Sequence, residues 1–176
     1  MFTASKKVKT LSMAIATAVA IGGVGLAQAA EKRSYILSTA STGGTYYPVG
    51  VALATLAKIK LEPKHKISMS AINSAGSGEN VKLLRENEAQ FAILQGLYGA
   101  WAWAGEGKLK DAGPQKQLRS VSMLWQNVEQ FVVKTEYAQS GTISDISGLK
   151  DKKFSIGKKN SGTEGSGRTI LGNLDM

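Results

Sequence analysis

The chain has 176 residues, of which 22 are lysine or arginine and 13 are aspartate or glutamate, so its formal charge is +9. It contains no cysteine, which excludes disulfides, a thiol nucleophile and a thiolate metal site. The basic residues stand singly or in pairs instead of forming a block interleaved with aromatic residues, and this distribution argues against a nucleic-acid partner.

The first 29 residues have the three-part pattern of a cleavable secretory signal peptide. Residues 6–9 include three lysines, residues 11–26 are apolar, and residues 27–29 read Ala-Gln-Ala, a small-x-small cleavage pattern. The alternative is a membrane anchor, but an apolar stretch of about 16 residues is shorter than the roughly 20 that a spanning helix needs. We therefore predict export to the periplasm and a mature chain that does not span the membrane.

Strand and helix patterns alternate after this segment, which is typical of an α/β protein. Six runs have the alternating, β-branched or aromatic composition of strands: residues 34–39, 67–72, 91–94, 119–125, 129–134 and 154–157. The first helix is predicted to begin near Pro48, which suits a first helical turn. Its apolar positions recur at helical spacing and predict an inward face: Val49, Ala52, Leu53, Leu56 and Ala57.

The remaining helices are predicted from their caps and apolar positions. Ser77 is a suitable N-cap for a second helix, and Ser161 or Thr163 for a helix that carries Leu171. Residues 143–150 predict one short helical turn. His65, the only histidine, is expected in a loop as a solvated turn residue and not as a metal ligand or a general base.

Polar loops that contain glycine follow three of the predicted strands and open onto helices. They lie at residues 41–48, 73–78 and 160–165. Each would aim free backbone N–H groups and hydroxyls outward at a helix N-terminus, an arrangement that holds an anionic small molecule without any chemistry. The alternative for each loop is an ordinary strand-to-helix turn, because glycine serves both uses.

Several motifs resemble those of the TAXI receptors, which are the extracytoplasmic solute-binding proteins of TRAP transporters. The motifs are TGGTYYPVG at 42–50, GSGEN at 76–80, FAILQ at 91–95, LKDKKFSIG at 149–157 and NSGTE at 160–164. The resemblance runs from about residue 34 to residue 176. It implies an α/β, periplasmic-binding-protein-like fold with the two-lobe Venus-flytrap architecture, of which lobe one and the start of lobe two are present.

The resemblance also implies a domain organisation. Residues 1–29 are the signal peptide, residues 30–130 are lobe one, and residues 131–176 are the crossover and the start of lobe two. Members of this family have two complete lobes, so we expect the chain to be a truncated N-terminal part, which leaves open that it is a non-functional fragment when alone.

The function implied is a receptor that captures a small anionic solute, a carboxylate or an amino acid such as glutamate, and presents it to TRAP transporter membrane subunits. Lobe closure would bury the solute. The predicted ligand-binding residues are those of the three loops, together with the glutamine at the carboxyl end of the third strand: Thr42, Gly43, Gly44, Thr45, Tyr46, Asn73, Ser77, Gln95, Gly162 and Thr163.

Catalysis is not predicted. Gly157 and Gly162 have the spacing of a phosphate-binding P-loop, but Thr163 stands where that motif needs a lysine. No Gly-x-Ser-x-Gly elbow is present, and a lone histidine makes neither a catalytic triad nor a metal cluster. We expect no catalytic residue, no metal and no cofactor. The alternative is an exported phosphate-ester or nucleotide-binding enzyme domain that uses the glycine-rich loops for phosphate groups.

Overall fold

A computed structural model describes residues 31–176, and the predicted signal peptide lies outside the described residues. Three parallel strands form a sheet in the order β2-β1-β3: β1 at Arg33–Ser38, β2 at Ile67–Ile72 and β3 at Phe91–Ala92. The first two strands confirm the prediction to within one residue, whereas β3 is shorter than the run predicted for it. Because parallel strands point the same way, all three end at one edge of the sheet, where ligands bind in open α/β folds.

Within the described residues, four α-helices and three short 3₁₀ helices accompany the sheet. The α-helices are α1 at Tyr46–His65, α2 at Ser77–Arg85, α3 at Gly96–Ala104 and α4 at Gly162–Gly172. The 3₁₀ helices span Gly107–Ala112, Thr135–Tyr137 and Ile143–Leu149, the last of which confirms the predicted short turn. The prediction of a loop at His65 is wrong, since α1 continues through Pro63 and ends only where Lys66 adopts a left-handed conformation (φ 56°).

Small residues of α1 face the sheet, which corrects the predicted inward face. Gly50 and Ala54 are buried, whereas Leu56 is 54% exposed and Leu53 lies at the surface. The reason is steric, because a β-carbon on Gly50 would overlap the methyl group of Thr39 at the end of β1. Such close approach turns the small residues toward the sheet and leaves the larger apolar ones on the outer side of α1.

The strands predicted at residues 119–125, 129–134 and 154–157 are not formed in the structure. These segments have no regular secondary structure, and Val121 and Val132 are 82% and 92% exposed. A strand needs a neighbour that satisfies its backbone groups, and an apolar alternating pattern alone does not supply one. Within residues 31–176 these segments pair with no strand of the sheet.

Part of the hydrophobic core lies where α2, α3 and α4 pack together. Val81 of α2, Tyr98 and Ala102 of α3, and Leu171 of α4 are all buried. None of the helices in the described part of the chain is both long and apolar enough to cross a bilayer. Residues 32–176 form one compact α/β unit compatible with a periplasmic-binding-protein-like domain, and its division into two lobes stays a prediction.

Candidate functional site

Asn80 joins the carboxyl ends of β1 and β3. This fully buried side chain donates through Nδ2 to the carbonyl oxygens of Thr39 (2.6 Å) and Ile93 (2.8 Å), and its Oδ1 lies 2.7 Å from the Ser74 hydroxyl. The Ser74 hydroxyl also accepts from the backbone N–H of Gly76 at 3.0 Å. These bonds satisfy backbone groups that the sheet leaves unpaired, and they hold the loop before α2 rigidly against the strand ends.

Ser77 connects α2 to α3 and does not cap its own helix. The N-cap of α2 is Gly76, whose φ of 120° suits glycine, and Ser77 is the first helical residue. The buried Ser77 hydroxyl instead accepts from the backbone N–H of Gln95, the N-cap of α3, at 3.0 Å. The predicted capping role of Ser77 is therefore wrong, because its hydroxyl serves the neighbouring helix.

The N-terminus of α4 lies against the N-termini of α2 and α3. Ser161, one of the two predicted caps, caps α4 by accepting from the backbone N–H of Glu164 at 3.1 Å. The carbonyl oxygen of Asn160 accepts from the backbone N–H of Gly78 at 3.0 Å. A β-carbon on Gly162 would come 3.0 Å from both the Gln95 amide oxygen and the Ser77 hydroxyl. Only glycine allows this contact without displacing a neighbour.

The Gln95 side chain is buried, and only its amide nitrogen has a hydrogen-bond partner among the described residues. It is 7% exposed, and its Nε2 donates to Oε1 of Glu129 at 2.7 Å. The same carboxylate oxygen accepts from Nδ2 of Asn127 at 2.8 Å. The Gln95 Oε1 atom is buried and accepts no hydrogen bond from any described residue. An unmatched buried acceptor therefore lies beside the α4 N-terminus.

Tyr46, at the start of α1, joins Ser77, Gln95, Glu129 and Gly162 in one polar cluster. Its ring meets that of Trp125 edge to face, with 5.7 Å between centroids. Burial raises the pKa of the Tyr46 hydroxyl, and the charge of Glu129 adds to this effect, while a hydrogen bond with Ser77 acts in the opposite direction. Tyr46 therefore joins the cluster through Ser77, with the Glu129 carboxylate nearby.

Glu164 forms a second polar centre in the first turn of α4. Its Oε1 lies 2.9 Å from Lys108 Nζ and 3.0 Å from Arg168 Nε, and Oε2 accepts from the backbone N–H of Asn160 at 2.8 Å. The bond to Lys108 is the main cause that lowers the pKa of Glu164 to about 2, with smaller contributions from Arg168 and Asn160, against the opposing effect of burial. Lys108 belongs to the 3₁₀ helix after α3, so this pair ties α4 to that helix.

A cavity of about 1170 Å³ opens beside the cluster. Tyr46, Gln95 and Glu129 are neighbouring polar members of its lining, which is otherwise largely apolar and includes Phe91, Trp103 and other side chains of β3, α3 and the segment 117–127. Small-molecule sites commonly combine such an apolar wall with a few convergent polar groups. No group of three histidine, aspartate or glutamate side chains among residues 31–176 is placed to hold a metal ion.

The structure brings together four of the ten predicted ligand-binding residues: Tyr46, Ser77, Gln95 and Gly162. The other six are not joined to the cluster by any side-chain hydrogen bond among the described residues. Five of these are exposed and Gly44 is half-buried; the exposed ones are Thr42, Gly43, Thr45, Asn73 and Thr163.

Glu129 and Asn80 are the members of the site that sequence reasoning missed. Asn80 stood inside a recognised motif, and its position one helical turn after Gly76 could have indicated an inward polar side chain. Glu129 gave no such signal, because it is the first residue of a run that predicts a strand and lies 34 residues from Gln95 in the chain.

Residues 37–176 match the model of one protein family, which is described as the NMT1-like family. The matched range covers most of the chain and includes every residue of the cluster around Gln95. It also includes all three glycine-bearing loops.

Proposed function

Because the chain belongs to the NMT1-like family of periplasmic solute-binding proteins, we propose that it is an extracytoplasmic receptor for a small anionic solute. The solute is a carboxylate or an amino acid such as glutamate, and the receptor is of the TAXI class that serves a TRAP-type membrane transporter. The family match supports solute binding, whereas the motifs at residues 42–50 and 160–164 are the ground for the TAXI assignment.

The observation that carries this proposal is the meeting of three helix N-termini around Gln95. Ser77 begins α2, Gln95 caps α3 and Gly162 begins α4, and the three residues are in mutual contact. Helix N-termini carry partial positive charge and unpaired N–H groups, which favour a bound carboxylate. The unmatched Gln95 Oε1 is a second and independent sign of a ligand, because buried polar atoms nearly always have a partner.

In the proposed cycle, the N-terminus of α4 moves away from Ser77 and Gln95 to admit the solute and returns to enclose it. Tyr46, Ser77 and Gln95 hold the solute from the first part of the chain, and Gly162 and Thr163 hold it from the second. The remaining loop residues, at 42–45 and at Asn73, line the approach. The signal peptide at residues 1–29 directs the chain to the periplasm, where the membrane subunits of the transporter read the closed form.

Thermal unfolding of the purified full chain with millimolar carboxylates and amino acids tests this proposal. A ligand present at 100 times its Kd stabilises a protein by about 2.7 kcal/mol, which appears as a rise of several degrees in Tm. Gly162→Ala should abolish the rise, because its methyl group enters the space between Gln95 and Ser77. Gly172→Ala in the same helix is the matched control, since nothing lies within 4 Å of its β-carbon position. The proposal fails if no carboxylate or amino acid raises the Tm of the wild-type chain.

A further inference from the structure

The Gln95 amide has a defined orientation. Its Nε2 donates to the Glu129 carboxylate at 2.7 Å, and a carboxylate only accepts hydrogen bonds, so the amide nitrogen must face Glu129. The amide oxygen therefore points elsewhere, to the position beside Gly162. There it is buried and has no donor among residues 31–176. The atom that lacks a partner is an acceptor, so the missing partner is a donor.

The exposed Glu129 side chain adds a carboxylate at the nitrogen end of the same amide. Its Oε1 accepts from Gln95 and Asn127, which are both neutral amides. No lysine or arginine of the described part of the chain lies within 4.0 Å of this carboxylate. Arg119, which also lines the cavity, donates instead to the carbonyl oxygens of Lys116 and Leu118. The charge of Glu129 is thus not neutralised by an ion pair within the structure.

A solute that is only an anion fits this arrangement poorly, because Glu129 would repel it at short range. A solute that carries a cationic nitrogen beside its carboxylate would meet both requirements. Its carboxylate would take the helix N-termini, and its ammonium group would donate to Gln95 Oε1 and to Glu129. Charge-assisted hydrogen bonds of this kind are about twice as strong as neutral ones.

We propose that Glu129, together with Gln95 Oε1, is the specificity-determining acceptor that selects solutes with a cationic nitrogen over otherwise identical carboxylates. This inference rests on the proposed solute-binding function and deepens it, since it names the chemical group that the site requires. In this proposal Glu129 acts directly on selectivity, because its carboxylate accepts a hydrogen bond from the cationic nitrogen of the solute. A merely positioning role, in which Glu129 holds the Gln95 amide in place, predicts a different result.

Calorimetric titration of the purified full chain with pairs of ligands tests the inference. Each pair differs only in the amino group: L-glutamate and glutarate, L-glutamine and 5-amino-5-oxopentanoate, L-leucine and 4-methylpentanoate. The variant Glu129→Gln removes the charge but keeps an oxygen that can accept from Gln95 Nε2, so a positioning role survives it. The charge-matched control is Glu136→Gln, which removes an exposed carboxylate outside the cavity lining. Glu129→Asp restores the charge at a shorter reach.

We expect the wild-type chain to bind the amino member of at least one pair roughly ten- to a hundredfold more tightly, the range of a hydrogen bond to a charged group. Glu129→Gln should reduce this preference to within about twofold, Glu136→Gln should leave it unchanged, and Glu129→Asp should retain part of it. Far-ultraviolet circular dichroism checks that each variant is folded.

Equal affinity for both members of every pair that binds would overturn the inference on the wild-type chain alone, whatever the variants do. A preference that persists unchanged in Glu129→Gln would overturn it as well, because Glu129 would then be only a positioning residue. In both cases the receptor would still bind carboxylates, and the proposed function would stand. Binding of neither member of any pair is the distinct result that removes the proposed function and the inference together.

Discussion

The Glu164 carboxylate lies 2.9 Å from the Lys108 ammonium group and is only 8% exposed, so α4 is tied to the 3₁₀ helix after α3 by a largely buried ion pair. The two residues are 56 positions apart, and Arg168 is the other cationic partner of Glu164 among the ion pairs of residues 31–176. The pair therefore helps to hold α4 in the place that brings Gly162 against Gln95.

Lys108→Met should destabilise the fold. The change keeps most of the aliphatic side chain but leaves the buried Glu164 carboxylate with Arg168 as its one cationic partner among residues 31–176, which should cost about 1–3 kcal/mol. Urea unfolding at pH 7 measures the change. Lys134→Met is the matched control, because Lys134 and Glu136 are both mainly exposed and 3.8 Å apart. Equal stability of the two variants would contradict the importance of the Lys108 pair.

The stability contributed by Glu164 should disappear in acid. Its pKa in the folded protein, about 2, lies below the ordinary value of 4.5, so the ionised form stabilises the fold at pH above about 4.5. The contribution is lost as the pH falls from there toward 2. Unfolding free energies of the wild-type chain and of Glu164→Gln, measured from pH 7 to pH 2, should differ most at neutral pH and converge in acid. A difference that remains constant down to pH 2 would rule out this assignment.

Gly165→Ala should weaken the packing of α4 on α3. A β-carbon at this position would lie 2.5 Å from the Tyr98 hydroxyl oxygen and 2.8 Å from the ring carbon that bears it, and Tyr98 is buried. Relief of this overlap should cost about 1–3 kcal/mol in thermal or urea unfolding. Gly172→Ala, in the same helix but without close neighbours, should instead be neutral or stabilising by up to about 1 kcal/mol. The prediction is contradicted if the free energy of unfolding of Gly165→Ala equals or exceeds that of Gly172→Ala.

Asn80→Ala should be among the most destabilising polar substitutions in the described part of the chain. It leaves the buried carbonyl oxygens of Thr39 and Ile93 without their side-chain donor and removes the partner of Ser74, at a cost of roughly 2–4 kcal/mol. Asn173→Ala provides the comparison, because Asn173 is exposed and its side chain has no hydrogen bond within residues 31–176. A cost for Asn80→Ala below about 1 kcal/mol would show that water replaces the lost bonds.

The sequence predicted local features well where their signals are local. The bounds of β2 at Ile67–Ile72 and the cap at Ser161 follow from residue types within a few positions, because strand alternation and capping bonds depend on near neighbours. The predicted strands at 119–125 and 129–134 failed for the complementary reason, since a strand requires a distant partner that the pattern does not specify.

Of the candidate site, the sequence by itself determined the residue types: glycine at 162, glutamine at 95 and serine at 77. It also placed Ser77 and Gln95 correctly in the segments that follow β2 and β3, whereas Gly162 follows no strand of the structure. Only the tertiary structure decided their relations. Ser77 serves α3 and not its own helix, and Glu129 meets Gln95 across 34 residues. Hydrogen-bonding capacity belongs to each side chain, but the choice of partner depends on how helices pack, and packing is set by the shapes of many residues distant in the chain.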